Sequence, residues 1–128
     1  MNTTLQISLQ WILAVLMIVF GLNKFFGFIS VDPPSDPVAQ QFMGAMFGSY
    51  LSKVVAINEI LGGLLLLIPK TRFLGWLFIT PVMFNIVAFH MAHDFIGNGI
   101  WLAPTILFIV LGYFHKAELR SLLNIKIS

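Results

Sequence analysis

The sequence predicts an all-α fold, a four-helix transmembrane bundle, on three observations. Of its 128 residues 59% are hydrophobic and 9% charged, with a mean hydropathy of +0.95, more apolar side chain than a soluble domain of this length can bury. Four apolar runs are long enough, or nearly so, to cross a hydrocarbon core of about 30 Å, a distance that takes about 20 helical residues. Lysine and arginine gather in alternate connections, the pattern that sets orientation in a bilayer. With no internal repeat and no low-complexity segment, residues 1–128 read as one domain.

The first span is expected over 5–29. The opening residues, Met1 to Gln10, lack the basic start, short apolar middle and small-residue cleavage site of a secretory leader, so this helix is expected to stay in place. "SVDPPSDP" (Ser30 to Pro37) then makes a stiff connection, and Ser35 or Asp36 is placed to cap a helix that has Pro37 in its first turn. Carried unbroken to Ile68, that helix would be about 47 Å long, too long for an upright crossing. An outer interfacial segment over about 37–49 and a second span over 50–68 follow. Pro69 ends that span and "PKTR" turns the chain. The third span covers 73–93, "GNG" (Gly97 to Gly99) turns again, and the fourth covers 100–115, its short length extended by Trp101 and Tyr113 at headgroup level. Pro81 and Pro104 fall inside the last two spans, where each frees a carbonyl and favours a kink.

Lys70 and Arg72 lie in the second connection, and Lys116, Arg120 and Lys126 in the C-terminal tail, while the other two connections hold Asp32, Asp36 and Asp94. The positive-inside rule then puts both termini in the cytoplasm, in a multi-pass protein of a bacterial-type inner membrane. The net charge of +2 follows from this topology and marks no nucleic-acid partner. Cysteine is absent, which excludes disulfides, thiol relays, iron-sulfur ligation and haem thioethers within the chain.

"AINEILGGLLLL" (Ala56 to Leu67) sets Asn58 and Glu59 in a stretch that otherwise belongs in oil. A charge near the bilayer centre costs about 2.5–3.5 kcal/mol on insertion scales, so it needs an answer. Counting about 1.5 Å per residue, Glu59 lies about 14 Å from the inner boundary, Asn85 about 18 Å, Lys24 about 24 Å and His90 about 25 Å. Helical side chains lean toward their own N-terminus, so Lys24, Asn85 and His90 lean inward while Glu59 leans outward. The expectation is an internal Lys24–Glu59 ion pair or a polar pocket shared with Asn58, Asn85 and His90. Two duller readings stand beside it: Lys24 snorkelling to the outer headgroups, and Glu59 as a neutral acid that only holds helices together.

"FHMAHDF" (Phe89 to Phe95) places His90, His93 and Asp94 on one helical turn, a candidate binding cluster with His93 at the outer mouth. The spacing is met by chance in many helices, and no metal site is assigned. His90 and His115 fall near opposite faces and do not clamp one haem. Gly44, Gly48, Ser52 and Ala56 recur every four residues, a small stripe that suits close packing in the bundle or a dimer face.

"GLNKFFGF" (Gly21 to Phe28), "NEILGGLLLLIP" (Asn58 to Pro69) and a third helix with Asn85 and His90 together resemble the DoxX family of small four-helix membrane proteins. The resemblance matches Gly21, Lys24 and Phe25 to one family pattern and Glu59, Gly62 and Gly63 to another. It implies a link to membrane-bound sulfur and quinone oxidoreductase complexes, or, in the wider clan, to assembly factors and cargo receptors. Fold likeness does not choose between these.

Two functions follow from the residues and this resemblance. In the first, the chain is an integral membrane subunit of an oxidoreductase-type complex, not catalytic alone. Quinone sits in an outer-half pocket of Lys24, Asn85 and His90, with Glu59 as proton carrier and Phe20, Phe25, Phe26, Phe28, Phe42, Phe47 and Phe89 as aromatic walls. In the second, it is a non-enzymatic membrane protein that binds lipid or assists assembly of a partner membrane protein. Either reading gives it the lipid bilayer and a membrane protein partner or a further copy of itself as company.

Overall fold

The computed structural model describes residues 3–95 and 99–124, and among these the chain is all-helical. Six α-helices follow in order: α1 (Thr3–Phe26), α2 (Pro37–Phe47), α3 (Leu51–Leu67), α4 (Arg72–His93), α5 (Leu102–Phe114) and α6 (Lys116–Asn124), with a 3-10 turn at Pro69–Thr71 between α3 and α4. Two stretches, Thr3–Phe26 and Pro69–His93, are long and apolar enough to cross a membrane alone, and the count rises to four if α2 with α3 and α5 with α6 each form one bent span.

The break between α2 and α3 turns the chain by 78°. The 37–49 segment and the second span are therefore two helices, and the stripe from Gly44 to Ala56 is divided between them. Ser52 and Ala56 are buried on α3, whereas a side chain at Gly44 would meet open space. Asp36 caps α2, its carboxylate accepting from the Ala39 amide at 3.1 Å, and Pro37 occupies the first turn, where its missing N–H costs nothing. Thr71 donates to the Leu65 carbonyl at 2.8 Å and so satisfies one of the acceptors left over where α3 stops. Pro104 falls in the first turn of α5, where no intrahelical bond is lost, so the kink expected there has no cause. Gly97 and Asn98 of the "GNG" turn, and Lys126, lie outside the described residues; Gly99 has φ +73°.

The core is shared by α1, α3, α4 and α5 and consists of Leu13, Ala14, Met17, Leu66, Trp76, Ile79, Met83 and Leu111. On α1 the buried positions Gln10, Ala14, Met17 and Gly21 are spaced four, three and four apart, one stripe along the helix. Gly63 on α3 is held where a Cβ would lie 2.8 Å from the Ala14 carbonyl oxygen, so α1 and α3 touch backbone to backbone. Gly75 gives α4 the same closeness to α3, its Cβ position 2.9 Å from the Gly62 carbonyl oxygen.

Candidate functional site

Glu59 stands halfway along α3 and is 1% exposed. The Lys24 ammonium, in the last turn of α1, donates to Glu59 Oε1 at 2.7 Å. The approach depends on Gly21, one turn before Lys24 on the same face, whose missing side chain lets α1 settle against Ala56 and the Glu59 stem. Lysine and glutamate then meet along the lean of their own helices. Lys24 keeps 17% of its side-chain surface, while Glu59 Oε2 is buried and bonded to nothing among the described residues.

Past Lys24 the chain reverses sharply. Gly27, at φ +63°, donates its amide to the Asn23 carbonyl at 2.7 Å, and the Asn23 side chain holds Ile29 through both its amide and its carbonyl. This clasp fixes the end of α1 from which Lys24 reaches inward.

The other residues expected in this pocket are elsewhere. Asn85 is exposed and donates to the Pro81 carbonyl of its own helix at 2.8 Å, so α4 is rotated to turn it outward, and it does not join Glu59. His90 lies at 2.7 Å from the Ile86 carbonyl, with its ring stacked on Trp101 at 4.8 Å. Trp101 is in consequence buried, with 8% exposure, whereas Tyr113 is 62% exposed. His93 meets Asp36 at 3.3 Å, tying the end of α4 to the cap of α2. His90 and His93 thus take separate partners, and no group of three metal-binding side chains forms among the described residues. Of the expected aromatic walls, Phe25, Phe26, Phe28, Phe42 and Phe47 are exposed, Phe20 packs against the core, and Phe42 leans on Phe89 at 5.3 Å.

Asn58 is a brace. Its amide donates to the Phe78 carbonyl of α4 at 2.9 Å, beside the break that Pro81 makes in the hydrogen-bond ladder. Two further braces escaped the sequence reading. Gln10, 3% exposed, donates to the Leu66 carbonyl at 2.9 Å, one of the acceptors that the end of α3 leaves free. Trp76 donates to the Phe108 carbonyl at 2.9 Å and stacks on the Phe108 ring at 4.5 Å, joining α4 to α5. Gln10 had a signal, its place on the α1 stripe four residues before Ala14; Trp76 had none, since nothing local tells which way an indole points.

Chemically, the pair can hold charge in an apolar setting and can offer Oε2 to a hydrogen-bond donor. Of the remaining polar groups, Gln10, Asn58 and Trp76 join helices to one another, while Asn85 and His90 bond to carbonyls of their own helix. Searches against protein-family models, curated proteins and solved structures find no match to this chain.

Proposed function

We propose that the chain is a four-helix integral membrane protein, both ends cytoplasmic, that works without catalysis by docking a second membrane protein on the outer face of α4. The observation that carries this reading is Asn85. Lys24, Glu59, Asn58, Gln10 and Trp76 each bond across to a neighbouring helix inside the fold, but Asn85, bonded only to the Pro81 carbonyl of its own helix, presents a carboxamide outward from an apolar helix, flanked by exposed Phe84 and Ala88. Lipid offers that carboxamide no partner, and a neighbouring helix does, at a gain of about 0.6–2 kcal/mol. Ala88 and Ala92, exposed one and two turns further on, let such a helix come close.

The cysteine-free chain allows a direct test. Ala88→Cys should cross-link to a membrane protein in native membranes, the product should vanish when Asn85→Leu is added, and Ile109→Cys on the lipid-facing side of α5 should give none. Equal products from both positions would end the proposal.

A second reading retains the oxidoreductase subunit. It rests on the unpartnered Glu59 Oε2 and on the resemblance of Gly21, Lys24, Phe25, Glu59, Gly62 and Gly63 to the DoxX family. A quinol hydroxyl entering beside Lys24 would donate to Oε2, which supports quinone as the occupant. This reading requires quinone to be extracted in proportion to purified protein, and to be lost in Glu59→Gln.

A further inference from the structure

α6 was expected only as a tail, and it is a helix that departs from α5 at 64°. At 3.6 residues per turn, Leu119, Leu122 and Leu123 share one face, Lys116 and Arg120 border that face, and Ala117, Ser121 and Asn124 lie opposite. Leu119 packs against the core, so the leucine face is turned back toward the body of the protein. Leu122 and Leu123 continue that face past the helices beneath and remain 43% and 64% exposed.

The joint is fixed by His115, buried at 1% exposure against Phe73 at 5.3 Å, with Glu118 of α6 at 3.6 Å from its Nδ1. Lys116 lies 4.3 Å over the Tyr113 ring and donates to its hydroxyl at 3.2 Å. Lys70 and Arg72 stand at the start of α4, and Lys116 and Arg120 stand in the first half of α6, with Glu118 the acid of that helix.

We propose that α6 lies in the plane of the membrane surface and binds anionic phospholipid, with Leu122 and Leu123 among the upper acyl carbons and Lys116 and Arg120 on the phosphates. The face that leans on the core is the face that overhangs it, which puts the two exposed leucines at lipid depth and the polar face in water. The cations at its border select the occupant by charge. The inference rests on the membrane reading and is independent of what α4 docks.

The test uses the full chain in vesicles of phosphatidylcholine with or without phosphatidylglycerol, carrying one fluorophore at Leu123→Cys or at Ser121→Cys. The Leu123 label should be quenched by spin-labelled lipid and spared by iodide, and the Ser121 label the reverse. Lys116→Gln with Arg120→Gln should lower the retention of phosphatidylglycerol over phosphatidylcholine, read by native mass spectrometry, on the order of tenfold. Equal iodide quenching at both labels, a Leu123 label shielded from both quenchers by protein, or unchanged lipid retention in the double variant would each overturn the proposal. Cross-linking at Ala88→Cys is unaffected by any of these results, so failure here leaves the docking reading to its own test.

Discussion

Gly21 and Ala56 are in backbone contact: a Cβ on Gly21 would lie 2.8 Å from the Ala56 carbonyl oxygen and 2.6 Å from an Ile60 side-chain carbon. The carbonyl belongs to a helix and has nowhere to go. Gly21→Ala should therefore destabilise the protein by about 1–3 kcal/mol, the usual cost of overpacking. Gly44→Ala, into open space on α2, should stabilise it by about 0.5–1 kcal/mol, because alanine loses less backbone entropy in a helix. Detergent-titrated unfolding of the two variants gives opposite signs if the close approach is real.

Removing Lys24 leaves Glu59 buried without an answer, and removing Glu59 leaves the partly buried Lys24 ammonium without one, at up to about 3–5 kcal/mol. Lys24→Met and Glu59→Leu should each show a loss of that order, and the double variant should recover most of it. A double-mutant cycle with additive losses would mean that the two groups do not depend on one another.

The Trp76 indole joins α4 to α5 through the Phe108 carbonyl. Trp76→Phe keeps a ring on Phe108 and deletes the donor, so the cost should be about 0.5–1.5 kcal/mol, the worth of one hydrogen bond. Trp76→Ala should cost about 3–5 kcal/mol through the cavity as well. Similar midpoints for the two variants in thermal unfolding would contradict this separation of ring and donor.

Asp36 serves two neighbours at once, the Ala39 amide and the His93 ring. Asp36→Ala should cost about 1 kcal/mol and speed hydrogen exchange at Ala39 and Gln40. Asp36→Asn keeps a cap on α2 and should leave exchange there slow. Fast exchange in both variants would show that the charge, not the cap, holds α2 in place.

The Lys24–Glu59 approach could be read from residue order because the physics there is one-dimensional. Depth follows from counting at 1.5 Å per residue, and lean follows from helix direction, so Lys24 and Glu59 were bound to approach if their helices did. The same count failed for Asn85, since depth says nothing of rotation about the axis. In a soluble helix the apolar stripe reports rotation. In α4 the core side offers Trp76, Ile79 and Met83 and the outward side Leu74, Phe78 and Phe84, so both faces are greasy and the pattern is mute.

The sequence by itself determined roughly where the apolar helices run, that Pro69 stops one and Ser35 or Asp36 starts another, and that a carboxylate and an ammonium lie in apolar stretches. Those are local matters of hydropathy, capping and spacing. Only the tertiary structure decided that Gly21 and Gly63 face carbonyls of their neighbours, that Gln10, Asn58 and Trp76 brace the fold, and that α6 sets Leu119 against the core. Each of these depends on which side of one helix meets which side of another, and steric fit between backbones sets that choice when apolar residues cover every face.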